Sequence, residues 1–365
     1  MRVLIVSKAL VLRTYRSKLH ELAGLGLEIV AVIPEEWREG TTRLRLEPGD
    51  DTAYSLVVSP LRWNGHFHLH WYPELPRVIQ RVAPDVVHVD EEPYNLATFL
   101  GVGAATRRRI PSLFFTWQNI QRSYPPPFSW TEAAVYRRVR TAIAGSEEAA
   151  GVLRAKGFRK PVVVTPQFGV DTAVFFPAPR AAGPFTVGFF NRLIPAKAPL
   201  LALEAFSSLP AGSCLRVVGD GPLRGALEQA ILHRGLQERV RIDRRVASDQ
   251  VPHLMHEIDV LVLPSLTTPR WKEQFGRVLI EAMASGVPVV GSDSGEIPTV
   301  IGDAGLVVPE GDPAALAGEL RRLHDDPSLR QELAGRGRQR AVSCYDNRVI
   351  ACRTLEAYEL AALAT

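Results

Sequence analysis

The sequence is poor in cysteine and has no long apolar run. Its three cysteines, Cys214, Cys344 and Cys352, fit no common metal motif. Secreted disulfide scaffolds need many paired cysteines, so this sparse, odd number favours a reducing compartment. No stretch approaches the roughly 20 apolar residues of a membrane-spanning helix. We therefore expect a cytoplasmic protein, and a peripheral position at the inner face of the cell membrane stays open.

Long runs of one charge are also missing. Short basic clusters occur at 13–18, 107–109 and 137–140, and they are interpreted first as solvated surface. The alternative is a binding site for acidic phospholipid or a pyrophosphate-linked acceptor. The formal net charge of +4 is mild for 365 residues and favours an anionic ligand or membrane surface. No nucleic-acid partner is expected. Charged residues interrupt the apolar N-terminus, so no signal peptide is expected there.

Strand and helix patterns alternate along the chain. A length of 365 residues suggests two domains. Strand–helix–strand units with short connections are typical of a parallel sheet. The Pro- and Ala-rich stretch 171–185 has no clear period and is interpreted as a linker, after which the alternation restarts. The sequence therefore predicts two doubly wound α/β domains, whose ligands bind beyond the carboxyl ends of the strands.

The predicted strands follow from short apolar runs that end in turn residues. They lie at 2–7, 27–34, 86–90, 112–117, 141–146, 162–169, 185–190, 214–222, 240–243, 259–265, 287–292 and 305–311. A further strand over 66–72 would place His66, His68 and His70 on one face. A metal site there is a minor alternative, because no carboxylate or cysteine is obviously placed to complete it.

Residues 273–290, EQFGRVLIEAMASGVPVV, predict a helix followed by a buried strand. Gly276 frees the backbone at the helix start, and Gly286 fits the left-handed position that ends a helix. Glu281 lies in the middle of this helix, where a carboxylate is costly unless it is exposed or bonded to donors. Glu273 lies a little over two helical turns earlier, so both carboxylates can face one cleft. The hydroxyls of a ribose would satisfy Glu281, and those of a second polyol would satisfy Glu273.

Two sets of groups in the second half suit a diphosphate. One set is the backbone amides at the helix start, where the dipole and unbonded N–H groups favour an anion. These amides belong to Phe275, Gly276, Arg277 and Val278. The other set is the side chains of Arg192 and Lys197, which follow the strand 185–190, near a tight turn at Gly219. Taken singly, each feature is more often solvated surface or a plain turn. Taken together with the two carboxylates, they suit a nucleotide sugar.

The second half resembles the donor domain of family 4 glycosyltransferases of the GT-B fold. The matching segments occur in the order of the family: NRLIPAK, RVVGDGP, DVLVLPS, EQFGRVLIEAMASGVPVV and SGEIPTVIGDAGLVVPEGD. Weaker matches in the first half are PDVVHVD and IAGSEEAAGVL. The resemblance implies two Rossmann-like, doubly wound parallel-sheet domains facing across a cleft. It implies an acceptor-binding domain over 1–172, with the helix 348–365 packed back on it, and a donor-binding domain over 173–347.

The resemblance also implies a retaining, hexosyltransferase-type enzyme. Such enzymes use no metal and no cofactor besides the nucleotide-sugar co-substrate, here a UDP- or GDP-sugar. By this resemblance Arg192 and Lys197 hold the diphosphate and take part in catalysis with Glu273, which binds the transferred sugar. Glu281 would bind the ribose. Arg245 or its neighbour Val246 would lie near the base.

The first half departs from the family pattern at two places. SKALVLRTY replaces the glycine-rich loop after the first strand, and Lys8 could contribute charge there. Gln118 replaces a frequent histidine, and it can form hydrogen bonds but cannot act as a base at neutral pH. The segment VDEEP places Glu92 at a strand end. Lys8, Glu92 and Gln118 are the candidates for the acceptor side.

The predicted reaction is transfer of a sugar to a glycan, a lipid-linked intermediate or a small glycoside, as in polysaccharide biosynthesis. One alternative is a sugar-nucleotide epimerase or phosphorylase on the same scaffold. Another is a non-catalytic carbohydrate- or phosphate-binding protein. Release of free nucleoside diphosphate argues against the first alternative, and turnover separates the transferase from the second.

Overall fold

Parallel strands alternate with covering helices along the chain, as the sequence predicts. A computed structural model describes residues 1–40, 42–49, 52–179, 182–244 and 246–363. Contacts divide the chain into two units. Unit 1 comprises Met1–Phe168 and the C-terminal segment from Asn347, and unit 2 comprises Gly169–Asp346.

The described residues of unit 1 form a seven-stranded parallel sheet and a small antiparallel pair, β3–β4. The strands are β1 (Arg2–Val6), β2 (Glu28–Ile33), β3 (Glu36–Glu39), β4 (Thr42–Arg45), β5 (Ser55–Val58), β6 (Val86–Val89), β7 (Ser112–Thr116), β8 (Thr141–Ala144) and β9 (Val162–Val164). The helices before the unit boundary are α1 (Arg13–Gly24), α2 (Leu75–Val82), α3 (Leu96–Arg107), α4 (Phe128–Arg138) and α5 (Glu147–Ala155). The strand order in the sheet is β5-β2-β1-β6-β7-β8-β9.

Unit 2 contains a six-stranded parallel sheet in the order β12-β11-β10-β13-β14-β15. The strands are β10 (Thr186–Phe190), β11 (Cys214–Val218), β12 (Val240–Asp243), β13 (Val260–Leu263), β14 (Val289–Ser292) and β15 (Leu306–Val308). The helices are α6 (Pro199–Ser207), α7 (Arg224–His233), α8 (Val251–Met255), α9 (Arg277–Ala284), α10 (Ile297–Ile301), α11 (Pro313–Asp325) and α12 (Pro327–Arg340). The final helix, α13 (Asn347–Leu363), belongs to unit 1 and packs on α1, β8 and β9.

Burial on both faces explains why the central strands are continuous apolar runs. Val3, Leu4 and Val6 of β1 are fully buried, and they contribute to two separate cores, one on each face of the sheet. Val187 and Phe189 of β10 are likewise buried in the core of unit 2. Parallel strands covered by helices on both sides have this composition. The cores therefore fix the strands and leave the loops at their carboxyl ends for function.

Each sheet changes winding direction beside its first strand. In unit 1 the chain passes from β1 to β2 on one side, and β6 then pairs with β1 on the other side. In unit 2, β11 and β13 flank β10 in the same way. Crevices at such switch points are the usual ligand sites of doubly wound sheets. Two positions therefore matter most, the carboxyl ends of β1 and β6 and those of β10 and β13.

The strand predicted over 66–72 is wrong. The segment forms turns, in which the backbone N–H of His70 donates to His66 O at 3.0 Å, and only an isolated bridge joins Arg62 to Trp71. The ring of His70 is buried and its Nδ1 lies 2.9 Å from Phe67 O. Alternation of histidine with apolar residues suggested a strand, but this side chain-to-backbone bond stabilises a turn instead.

The stretch 171–185 begins inside unit 2. The N–H of Val170 donates to Tyr345 O at 2.8 Å, and Arg338 donates to Phe175 O at 2.7 Å.

None of the helices in the described part of the chain combines the length and the apolar character needed to cross a bilayer.

Candidate functional site

Lys197 and Glu273 meet at the switch point of unit 2. Lys197 ends a short 3-10 turn (Pro195–Lys197) after β10, and Glu273 lies in the loop between β13 and α9. The Lys197 ammonium forms an ion pair with Glu273 Oε2, to which the hydroxyl of Ser265 also donates at 2.7 Å. Each side chain of the pair is only 7% exposed. The fold thus concentrates a buried charge pair where ligands usually bind.

Glycines allow the loops around this pair to approach closely. Gly295, after β14, has φ +53°, and a Cβ there would lie 2.0 Å from Glu273 O. The next residue, Glu296, donates its N–H to the same carbonyl at 3.1 Å. Gly219, after β11, is equally tight, since a Cβ would lie 1.9 Å from Asn191 O. The loops beyond these strand ends therefore pack backbone against backbone, which fixes the position of Glu273.

Lys197 is buried beside an aromatic ring. Burial lowers the pKa of Lys197, the Glu273 carboxylate opposes that shift, and the charge of Arg192 adds to it. The Lys197 Nζ also lies 5.1 Å from the centre of the Trp271 ring. A cation over an aromatic face gains electrostatic stabilisation. The sequence analysis missed Trp271 and Ser265, although both flank predicted site segments, in RWKE and DVLVLPS.

Arg277 satisfies the carboxylate in the middle of α9. Its Nε donates to Glu281 Oε1 at 2.8 Å, one helical turn away. Burial raises the pKa of Glu281 and Arg277 opposes that shift. Glu281 is partly exposed, with 15% of its side chain accessible. It is therefore bonded to its own helix and retains a surface for a ligand.

The other predicted donor residues surround the start of α9 and the ends of the neighbouring strands. Gly276 is the N-cap residue of the helix, with φ +77°, and a glycine supplies no side chain to cap it. Phe275 is buried edge-on against Tyr345, whereas Arg277 and Val278 are partly exposed. Arg192 is exposed directly after β10. Val246 is partly exposed after β12, and Arg245 lies outside the described residues.

A second charge pair lies at the switch point of unit 1. Lys8, after β1, forms an ion pair with Glu91, after β6. The Nε2 of His70 is 3.4 Å from Glu91 Oε1, and the Lys8 ammonium lies 5.3 Å from the Trp37 ring centre and 5.5 Å from that of Phe67. The sequence analysis selected Lys8 and the adjacent Glu92 as separate candidates for the acceptor side, and it did not predict the ion pair between Lys8 and Glu91.

Glu92 lies beside Glu91 after β6, and Gln118 follows the neighbouring strand β7. Glu92 accepts from the Thr116 hydroxyl at 2.5 Å and from Trp117 N at 2.8 Å. Burial raises its pKa to about 7, and these two bonds oppose the shift. Gln118 accepts from Lys156 at 3.1 Å, while its buried Nε2 has no hydrogen-bond partner among the described residues. The three candidates for the acceptor side thus follow β1, β6 and β7, which are neighbours in the sheet.

No group of three or more histidine, cysteine, aspartate or glutamate residues in the described part of the chain is arranged to hold a metal ion. The side chains at both switch points are instead lysine–glutamate pairs with aromatic neighbours. Such groups bind hydroxyls and anionic oxygens through charge-assisted hydrogen bonds.

Known glycosyltransferases resemble this chain in sequence. It is 32% identical over 284 residues to a D-inositol 3-phosphate glycosyltransferase of Streptomyces bingchenggensis, which covers 68% of this chain and 61% of that protein. It is 33% identical over 168 residues to a 2-deoxystreptamine glucosyltransferase of Streptomyces kanamyceticus, covering 44% and 42%. The chain spans about half the length of the relatives it matches.

Solved structures show the same fold over the whole chain. A sucrose-phosphate synthase of Thermosynechococcus elongatus superposes with a TM-score of 0.75 at 18% identity and covers 100% of both chains. The Anabaena protein HepE, solved with UDP and glucose, gives a TM-score of 0.76 at 20% identity and covers 98% of this chain and 99% of its own. These neighbours confirm the predicted GT-B architecture of two Rossmann-like domains.

Two family profiles divide the sequence between them. The profile described as glycosyl transferase 4-like domain matches residues 12–167, within unit 1. The profile described as glycosyl transferases group 1 matches residues 155–340, just over half of the chain. It includes the whole loop system that holds Lys197 and Glu273. The chain therefore belongs to the glycosyl transferases of group 1.

Proposed function

We propose that this protein is a retaining glycosyltransferase that binds a nucleoside diphosphate sugar at the switch point of unit 2 and transfers the sugar to an acceptor. The observation that carries the proposal is the buried Lys197–Glu273 pair, fixed between the ends of β10 and β13. The pair combines a cation for phosphate oxygens with a carboxylate for sugar hydroxyls. The family and its named relatives favour an enzyme over a non-catalytic binding protein.

Lys197 and Arg192 would hold the diphosphate. The pKa of Lys197 is lowered by burial and by the charge of Arg192, so an anion between the two cations would relieve both effects. The amides at the start of α9 would add donors to the same group. As the bond to the sugar breaks, negative charge grows on the leaving diphosphate. Fixed cations aimed at developing charge are usually the largest catalytic contribution.

Glu273 would bind the transferred sugar. Its Oε2 already accepts from Lys197 and Ser265, which hold the carboxylate in one orientation. The remaining lone pairs of a carboxylate can accept hydrogen bonds from sugar hydroxyls. In this proposal the acceptor hydroxyl attacks from the face on which the diphosphate departs, and a diphosphate oxygen takes the hydroxyl proton. No enzyme base is then required, in keeping with Gln118 in unit 1.

Glu281 would bind the ribose hydroxyls with its exposed surface, while Arg277 opposes the rise in its pKa that burial causes. Backbone atoms near Val246 would lie beside the base. UDP-sugars are the first donors to test, because the neighbour HepE was solved with UDP and with UDP-glucose. The relatives named for D-inositol 3-phosphate and 2-deoxystreptamine suggest a cyclic polyol as acceptor, which we assign to Lys8, Glu92 and Gln118 of unit 1. Independence from metal ions and a cytoplasmic location are part of the same proposal.

The test is donor-dependent release of nucleoside diphosphate by the purified full-length protein. UDP-, GDP- and ADP-sugars are supplied without acceptor, so that slow hydrolysis reports donor use. We expect release from one donor and its loss in Glu273→Ala. Glu332→Ala, which removes an exposed glutamate of unit 2, is the matched control and should retain full activity. Equal release by wild type and Glu273→Ala contradicts the proposal. The proposal is also contradicted if no donor releases diphosphate and none of the free nucleoside diphosphates raises the melting temperature of the protein.

A further inference from the structure

We propose that Lys8 and His70, around Glu91, form a second ligand site at the switch point of unit 1, and that this site binds an anionic group of the acceptor, a phosphate or a carboxylate. The inference rests on the proposed function, because it names the chemical class of the acceptor. It adds His70 and Glu91 to the residues already assigned to unit 1.

The position of the pair is the first argument. Lys8 follows β1 and Glu91 follows β6, as Lys197 follows β10 and Glu273 follows β13. The two sheets share the order of these strands, because β1 lies between β2 and β6 and β10 lies between β11 and β13. The two lysine–glutamate pairs are therefore topological counterparts. A ligand is expected beside each of them for the same reason.

The distribution of charge favours an anion in unit 1. Burial opposes ionisation of Glu91, but Lys8 and His70 outweigh it and lower the pKa of Glu91 to about 2. One carboxylate, 1% exposed, is thus shared by two basic groups. The side chain of Lys8 is 15% exposed, so a ligand meets the ammonium rather than the carboxylate.

The negative charge of the two neighbouring acids is reduced at Glu92 by its raised pKa and offset at Asp90 by the cation Lys18. Burial raises the pKa of Glu92 to about 7, so this carboxyl carries only part of a charge near neutral pH. Burial also raises the pKa of Asp90, to about 6, although Lys18 opposes the shift. Asp90 is bonded to Gln167 Nε2 at 2.8 Å. The partly exposed cation of this strand edge is therefore Lys8.

Near Glu91, the hydroxyl of Tyr72 has no hydrogen-bond partner among the described residues, and the Nε2 of His70 has there only its 3.4 Å contact with Glu91 Oε1. Both side chains are buried, Tyr72 at 3% and His70 at 0% exposure. The Nδ1 of His70 faces two carbonyl oxygens, at 2.9 and 3.2 Å, and must donate to them. The Tyr72 hydroxyl is thus a buried donor without an acceptor, which is costly, and the Nε2 of His70 becomes a second donor when the ring carries both protons. An oxygen-rich anion supplies acceptors to this cluster.

Two aromatic rings beside Lys8 indicate that the part of the ligand next to its anionic group is apolar. Phe67 is 47% exposed and packs edge-on against Trp37, with ring centres 5.2 Å apart. The Lys8 ammonium lies against both rings. The exposed face of Phe67 can pack on carbon atoms while Lys8 binds the charge. The acceptor is therefore a ring or chain of carbon atoms that bears a negative group.

The experiment is a calorimetric titration of inorganic phosphate into the full-length protein held in saturating UDP, so that the donor site is filled. We expect binding with a Kd on the order of 1 mM, typical of one small-ion contact site. Lys8→Met should weaken it about tenfold, equivalent to about 1.4 kcal/mol, and Lys8→Arg should retain it. Arg77→Met, which removes an exposed cation of α2, should change nothing. A parallel titration with acetate tells a carboxylate preference from a phosphate preference.

Glu91→Gln gives an independent readout if Lys8→Met unfolds. Removing the competing carboxylate should strengthen phosphate binding severalfold, and unchanged or weaker binding overturns the proposal. Absence of binding by both phosphate and acetate also overturns it, as does a Lys8→Met variant that loses affinity for UDP instead of phosphate. If UDP does not bind but phosphate does, and Lys8→Met abolishes that binding, the anion site stands and only the donor assignment fails.

Discussion

The two switch points use the same pair of residue types in different surroundings. In unit 2 the Glu273 carboxylate has Lys197 as its cation and Ser265 as a neutral donor. In unit 1 the Glu91 carboxylate lies between Lys8 and His70. A carboxylate with one cation keeps capacity for hydroxyls, whereas one with two basic neighbours leaves positive charge toward the ligand. On the proposed assignments, the third partner decides what the carboxylate itself can do: beside the Ser265 hydroxyl Glu273 can still accept from sugar hydroxyls, whereas beside His70 Glu91 is occupied by basic groups.

The largest expected effect tests the cation of unit 2. Lys197→Met should lower kcat/KM by about 100- to 1,000-fold, because a fixed charge on the leaving group is lost. Steady-state kinetics with the best donor measures it. The counterpart in unit 1 is Lys8→Met assayed with the acceptor concentration varied, for which we expect a higher KM for acceptor and an unchanged kcat. A loss of kcat of the same size in both variants would remove the distinction between the two sites.

Acid stability sharpens the comparison from the side of unit 1. The pKa of Glu91 falls from 4.5 to about 2, so its contribution of roughly 3 kcal/mol is complete above pH 4.5 and is lost as the pH falls toward 2. Glu91→Gln should lower stability at neutral pH and flatten this acid dependence. Urea unfolding across that pH range measures both, with the exposed Glu74→Gln as control. Parallel pH profiles for wild type and Glu91→Gln would contradict the assigned ion pair.

Ser265 distinguishes the carboxylate of unit 2 from that of unit 1. Ser265→Ala removes a hydrogen bond to a buried charged group, which is typically worth about 1.5–3 kcal/mol. We expect the KM for donor to rise about tenfold, with kcat changed less, because Glu273 loses its orientation rather than its charge. Ser207→Ala, at the partly exposed last residue of α6, should behave as wild type. An unaltered donor KM would show that Lys197 alone orients Glu273.

The smallest expected effect concerns α9. Arg277 lowers the pKa of Glu281 against the effect of burial. Without Arg277 the pKa of Glu281 rises further, so donor affinity should weaken at a higher pH as the solution is acidified. The expected change in affinity at neutral pH is about twofold, typical of one partly exposed helical ion pair. Titrating UDP into Arg277→Met at several pH values measures the shift, and identical acid limbs would count against ribose binding by Glu281.

The sequence predicted all strands of the two parallel sheets except β5, and the central strands were clearest because they are apolar on both faces. It missed β5, whose residues SLVV are only partly buried at the sheet edge. It also placed a strand where His70 forms a turn, because alternation alone does not show a ring bonded to backbone carbonyls.

For the site, too, the sequence predicted features that depend on a local pattern and missed those that depend on contacts between distant segments. Lys197 and Glu273 lie in segments with strong local patterns, so the sequence identified both residues. Lys8 forms its ion pair with Glu91 and not with the adjacent Glu92. This depends on which of the two side chains points to Lys8, and the sequence does not specify it. Trp271 contacts Lys197 across two loops. Such contacts arise only from the packing that Gly219 and Gly295 allow.

The most direct test of the central claim compares the two carboxylates in one assay. On the proposed function, acceptor-free release of nucleoside diphosphate from the preferred donor should require the site in unit 2 and not the site in unit 1. The account predicts that Glu273→Gln lowers this release about 100-fold, in the range seen when a transition-state contact is lost, while Glu91→Gln stays within about twofold. A loss in Glu91→Gln with full release in Glu273→Gln would contradict it.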